Sequence, residues 1–146
     1  MYRNILVAID SSEIAARALA DAAELALALN ARLTIISVAP DLPPVAYRAG
    51  IDIKALEAEV QAEVDALMHQ AVDSLPEGLP VTTVLRHGNP GAEIVGQIER
   101  GQHDLVVMGS RGRGRVTSNL FGSVAAYVHF HSRVPMLVLQ PERADH

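Results

Sequence analysis

Glycines at 109, 112 and 122, arginines at 111, 113 and 115, and the pair Gly122-Ser123 make one segment suited to holding phosphate. Backbone N–H groups approach an anion closely only where no Cβ intervenes, and a helix start adds unpaired N–H donors and a positive dipole end. The apolar run Asp104-Leu-Val-Val-Met108 comes just before and reads as a buried strand, and Val124-Ala-Ala-Tyr-Val just after reads as the first turns of a helix. Strand, glycine- and arginine-rich loop, then helix N-terminus is a layout that cradles a phosphate chain. No acidic residue falls between the three arginines, although the chain as a whole carries a net charge of −5. Asp10, at the end of another apolar run, is the other chemically suggestive residue, and with Ser11 and Ser12 it also reads as a helix cap.

The elements around these residues follow from hydrophobic patterning. Apolar, β-branched runs at about 4–9, 33–38, 104–108 and 134–139 have strand length, and Val81-Thr-Thr-Val-Leu-Arg alternates as an edge strand does. Ser12 to Leu29 is an alanine- and leucine-rich helix closing at Asn30. Residues 53–74 repeat apolar groups at Leu56, Val60, Val64, Leu67 and Ala71, a helical period. Glu93 to Arg100 predicts a short helix behind Pro90, stopped by Gly101, and residues 41–50 predict a long proline-rich loop over the carboxyl edge of the sheet or against a partner subunit. Strands alternating with helices mean βαβ units and parallel pairing.

Composition narrows the class. A chain of 146 residues makes one domain, taken as 1–146. No window reaches the roughly eighteen uncharged residues of a membrane span, and no signal-peptide pattern opens the chain. The absence of cysteine excludes disulfides and cysteine-ligated metals. An acidic balance and only five Phe and Tyr residues argue against nucleic-acid binding. The expectation is a soluble cytoplasmic domain. His129 and His131, two apart on a helical pattern, point to different faces and do not chelate one ion. No Gly-Lys-Ser/Thr, no glycine-rich first strand–helix turn and no Gly-x-Ser-x-Gly occurs, which excludes a P-loop and argues against dinucleotide binding and an elbow serine.

The spacing Gly109-x2-Gly112-x9-Gly122-Ser123 is similar to the ATP-binding branch of the universal stress protein family. The opening Asn4-Ile-Leu-Val-Ala-Ile-Asp10, the middle Gly88-Asn-Pro90 and the closing Val134-Pro-Met-Leu-Val-Leu139 extend the resemblance over nearly the whole chain. It implies an open, doubly wound, Rossmann-like α/β fold with a parallel five-stranded sheet of order 3-2-1-4-5 and helices on both faces. In that order Asp10 and Gly109 end the two strands flanking the reversal, where ligands bind. The resemblance further implies that Ala8, Ile9 and Asp10 wall the nucleoside, that the Val38 backbone meets adenine, and that Met108 and Gly109 lie along the ribose. Gly112, Gly122, Ser123 and the Val124 backbone then hold phosphates, with Arg111 and Arg113 beside them. The implied ligand is ATP with Mg²⁺. The implied role is a nucleotide-dependent regulatory module of the stress response with at most slow hydrolysis, acting on a protein partner that the sequence does not name. The alternatives are a slow ATPase or nucleotidyl-transfer enzyme of the same superfamily, or a binder of AMP or a cyclic nucleotide. The segment Tyr127-Val-His-Phe-His-Ser132 departs from the family pattern. The apolar, uncharged strand 134–139 predicts a homodimer by edge pairing.

Overall fold

The computed structural model describes residues 1–110 and 122–141. Its sheet has five strands in the order β3-β2-β1-β4-β5. In chain order these are β1 (Asn4–Ala8), β2 (Arg32–Ala39), β3 (Val81–His87), β4 (Leu105–Gly109) and β5 (Met136–Leu139), and every neighbouring pair is parallel. Helices α1 (Glu13–Leu29) and α3 (Ile53–Asp73) pack on one face, while α4 (Pro90–Gly101) and α5 (Ser123–His131) pack on the other.

The central strands are continuous apolar runs because both of their faces are covered. Ile5, Leu6 and Val7 of β1 and Val106 and Val107 of β4 are fully buried. Burying one such side chain stabilises the fold by about 1.5–3 kcal/mol. β3, with a neighbour on one side only, keeps the alternating pattern of an edge. The buried stripe of α1 is mostly alanine (Ala15, Ala18, Ala22, Ala23 and Ala26, with Leu19), so its axis lies close to the sheet.

Local chemistry sets the helix ends. Ser12 caps α1, its Oγ accepting from the Ala15 amide at 3.2 Å, and Asn30 closes it in the left-handed region at φ 55°. Asn89 caps α4 through the Ala92 amide at 3.0 Å, with Pro90 in the first turn. This helix starts three residues before the expected Glu93, because an Asn-Pro pair supplies a cap and a residue that needs no N–H. Nor does Gly101 stop it. Gly101 is its last helical residue, and Gln102 takes the left-handed turn at φ 52°. Glycine at 101 leaves room for the Gln97 and His103 side chains, which a Cβ there would push aside.

Two further expectations need correction. The 41–50 segment is not wholly loop: Pro44–Arg48 forms the short helix α2, which Pro43 and Pro44 pre-set at its start. The last strand begins at Met136, not at 134, although the Pro135 carbonyl already accepts from the Val106 amide at 3.0 Å. At the amino end of the sheet, the Asp104 carboxylate accepts from the Arg3 and Asn4 amides at 2.9 and 3.0 Å, tying β1 to β4.

Candidate functional site

β1 ends before both of its neighbours do, and this makes a notch. Its pairing with β2 stops at Ala8 opposite Ile36, whereas β2 runs on to Ala39. Its pairing with β4 stops at Val7 opposite Val107, whereas β4 runs on to Gly109. The overhanging ends of β2 and β4 therefore face each other across a gap at the carboxyl end of β1, where the strand order reverses. A cavity of about 820 Å³ opens there. Such a volume falls within the ordinary range of small-molecule sites, about 300–1,000 Å³.

Of the residues expected at the site, Ala8, Ile9, Asp10, Val38, Met108, Gly109, Gly122, Ser123 and Val124 all line this one cavity. Positions about a hundred apart in sequence thus converge as the reversal requires. Arg111, Gly112 and Arg113 lie outside the described residues.

Asp10 does not cap α1 directly. Its Oδ1 accepts from the Ser12 amide at 2.9 Å and from the Ser12 hydroxyl, which in turn caps the helix. The carboxylate is thereby held in place beside the cavity by the residue that starts α1. The Ile9 amide donates to the Ile36 carbonyl at 3.0 Å, the last bond between β1 and β2. Backbone groups two residues apart on a strand point to the same side. Val38 therefore turns its amide and carbonyl toward the notch, past the end of its β1 partner.

On the opposite wall, Gly122 precedes α5 with φ −60° and ψ 160°, and among the described residues no side chain caps the helix. Its first amides have no intrahelical acceptor, so an anion is a natural partner for them. The Gly122 amide donates to the Ser110 carbonyl, and the Ser110 amide to the Leu139 carbonyl at 2.8 Å. Both ends of the 111–121 segment are pinned to one point beside the cavity.

Sequence reasoning missed part of the wall. Asp41 and Glu63 bring two more carboxylates to the crevice beside Asp10. Pro40, Leu42 and Pro43 roof it, which agrees with a loop arching over the carboxyl edge, and Val60, Val64 and Leu67 of α3 enter from the α1 side. The prolines following β2 were the available signal for the roof. Nothing in the sequence brought α3 there.

Among the described residues no group of three or more His, Asp or Glu is placed to hold a metal ion. Mg²⁺ usually arrives with phosphates and one or two carboxylates instead of in an all-protein cage. The Asp10 carboxylate is an oxygen donor of that type at the crevice. Also among the described residues, no helix is long and apolar enough to cross a membrane.

An open parallel sheet with a cavity at its switch point defines a doubly wound α/β domain. The chain belongs to the universal stress protein family, whose model matches residues 1–140. Universal stress protein YxiE of Bacillus subtilis is 30% identical, over 96% of this chain and 100% of its own. The solved structure of the hypothetical protein MJ0577 superposes with a TM-score of 0.85 at 26% identity, covering 99% of both chains. A universal stress protein in complex with cAMP has the same fold, with a TM-score of 0.70 at 23% identity over 94% of this chain and 97% of that one.

Proposed function

We propose that this protein is an ATP-binding regulatory module whose crevice between β1 and β4 takes an adenine nucleotide, with Mg²⁺ carried on its phosphates. The observation that supports this best is the notch at β1, which brings the Asp10 carboxylate, the Val38 backbone and the start of α5 onto one cavity. Asp10 accepts from the ribose hydroxyls. The Val38 amide and carbonyl meet the adenine edge, where the donor and acceptor pattern separates adenine from guanine. The amides at Gly122 to Val124 receive phosphate oxygens, joined by Gly112, Arg111 and Arg113. The relative that holds cAMP lends its fold to this argument, while the ligand class rests on the crevice of this chain.

Fast phosphoryl transfer needs a positioned metal and a group that orients the nucleophile. In this reading the nucleotide acts as a ligand that sets conformation and partner choice. The working unit is a homodimer joined at β5, and the setting is the cytoplasm. Mass spectrometry of small molecules released from protein purified without added nucleotide tests the reading. Release of an adenine nucleotide supports it, and release of a guanine nucleotide or a nicotinamide dinucleotide sinks it. A single-turnover assay tests the regulatory role, which turnover near 1 s⁻¹ or faster, the ordinary enzyme range, would overturn.

A further inference from the structure

A second cavity, of about 580 Å³, lies on the far side of the roof. Pro40, Asp41, Leu42 and Val60 line both cavities and so form the wall between them. Tyr47 of α2, Lys54, Glu57 and Gln61 of α3, and His87, the last residue of β3, line the outer cavity alone.

Local structure brings these groups together. Asp52 caps α3 through the Ala55 amide at 3.2 Å, which puts Lys54 and Glu57 in its first two turns. Positions 54, 57 and 61 are spaced by three and four, so one face of the helix presents an ammonium, a carboxylate and an amide. The Gln61 side-chain nitrogen donates to Asp65 Oδ1 at 3.0 Å, which leaves its carbonyl oxygen as an acceptor. Across the cavity, the Gly88 amide donates to the Ala39 carbonyl at 3.0 Å and so holds His87 beside the segment that carries Asp41.

The charges decide what such a cavity takes. Asp41 and Glu57 reach it from different elements, and Lys54 brings one ammonium. Lys54 and Glu57 have a spacing at which side chains pair, yet among the described residues no salt bridge joins them or engages Asp41. Two carboxylates and one ammonium are complementary to a molecule with two ammonium groups and one carboxylate, because each opposite pair forms a charge-assisted hydrogen bond. The Tyr47 ring adds an aromatic face for a cation.

We infer that the outer cavity binds a small basic amino acid, with its two ammonium groups at Asp41 and Glu57 and its carboxylate at Lys54. The site is a feature of this chain whether or not the crevice takes ATP.

The test is a calorimetric titration with free L-lysine. Putrescine, a diamine without a carboxylate, and norleucine, which lacks the second ammonium, are the comparisons. Lysine binds at one site per chain with a Kd of about 1 mM. Each comparison binds at least about fivefold more weakly, the loss of one exposed charge-assisted contact. Glu57→Gln and Lys54→Met, both outside the crevice, weaken lysine by a similar factor and keep the melting transition and the ATP affinity of wild type. Lysine binding without any heat from ATP sinks the nucleotide reading and leaves this one standing. No heat from lysine at about 10 mM, or putrescine or norleucine binding as tightly as lysine, overturns the inference. Unchanged lysine affinity in both variants, or displacement of lysine by ATP, puts the ligand elsewhere and overturns it as well.

Discussion

The Ser110 amide donates to the Leu139 carbonyl at 2.8 Å, joining the residue that follows β4 to the last residue of β5. Ser110 is itself almost fully buried, and its carbonyl accepts from the Gly122 amide. One residue therefore joins the end of the outer strand to the residue that opens α5.

Arg111 and Arg113 bear on the proposed site through their charge, and replacing both by alanine tests this. The double replacement should flatten the salt dependence of ATP binding toward that of AMP, since screening acts on each exposed charge pair. Calorimetric titrations over a salt series check this. Identical salt slopes for wild type and variant would make these arginines bystanders.

At the outer edge, Leu137 is 39% exposed and Met136 and Val138 are half-buried. A short apolar edge strand free of charge favours pairing with a second copy, and two-fold pairing closes the assembly. Val138→Lys should convert a dimer to a monomer in sedimentation equilibrium. A wild type that sediments as a monomer at tens of micromolar would remove this interface.

Gly91 brings α4 against α5. A Cβ there would stand 2.7 Å from Cδ1 and 2.9 Å from Cβ of Tyr127. Alanine normally gains about 1 kcal/mol over glycine within a helix. Here the overlap is with the root of a side chain as well as its ring, so the helices must separate, and overpacking of this kind costs about 1–3 kcal/mol. Gly91→Ala should lower the melting temperature by a few degrees. An unchanged or higher value would mean that the helix pair adjusts freely.

His103 gives the fold a pH dependence. It is buried after α4, with its Nε2 3.1 Å from the Gln97 side-chain nitrogen, a donor, so the imidazole accepts that bond in its neutral form. Burial lowers its pKa below the usual 6.5, and the Arg32 charge adds to this. The Asn4 backbone and the Asp104 carboxylate pull the other way without reversing it. Below 6.5 the unfolded chain takes up the proton more readily than the folded one. The contribution of His103 is therefore complete above pH 6.5 and is lost as pH falls toward the lowered folded value. Urea midpoints from pH 8 to 5 should fall more steeply in wild type than in His103→Gln. Parallel curves would contradict this assignment.

Much of this architecture was legible in the chain because the responsible interactions are local. The buried strands announce themselves as unbroken apolar runs, and Ser12 and Asn30 mark the ends of α1 through chemistry confined to one turn. α2 was not legible, because five residues led by prolines carry too little periodicity to separate from a loop. The α3 stripe signalled a helix correctly, but not that its first half would face a cavity, since that depends on how far α1 and α3 stand apart over the sheet. Strand order came from the family resemblance. Asp10 and Gly122 stood out by residue type and spacing and Val38 through that resemblance, whereas the places of Asp41, Glu63 and Val64 at the cavity became visible only in three dimensions.

The central claim is that the notch at β1 receives an adenine nucleotide through the start of α5. Calorimetric titration of wild type and Gly122→Val with ATP tests it most directly. Gly122 sits at φ −60° and ψ 160°, which valine also adopts, so the variant should fold with a loss of about 1 kcal/mol at the helix cap. Wild type should bind ATP near the micromolar range, about −8 kcal/mol. The variant, with a β-branched side chain where phosphate must meet backbone, should bind at least about tenfold more weakly. Equal ATP affinity in wild type and a folded Gly122→Val would contradict the account.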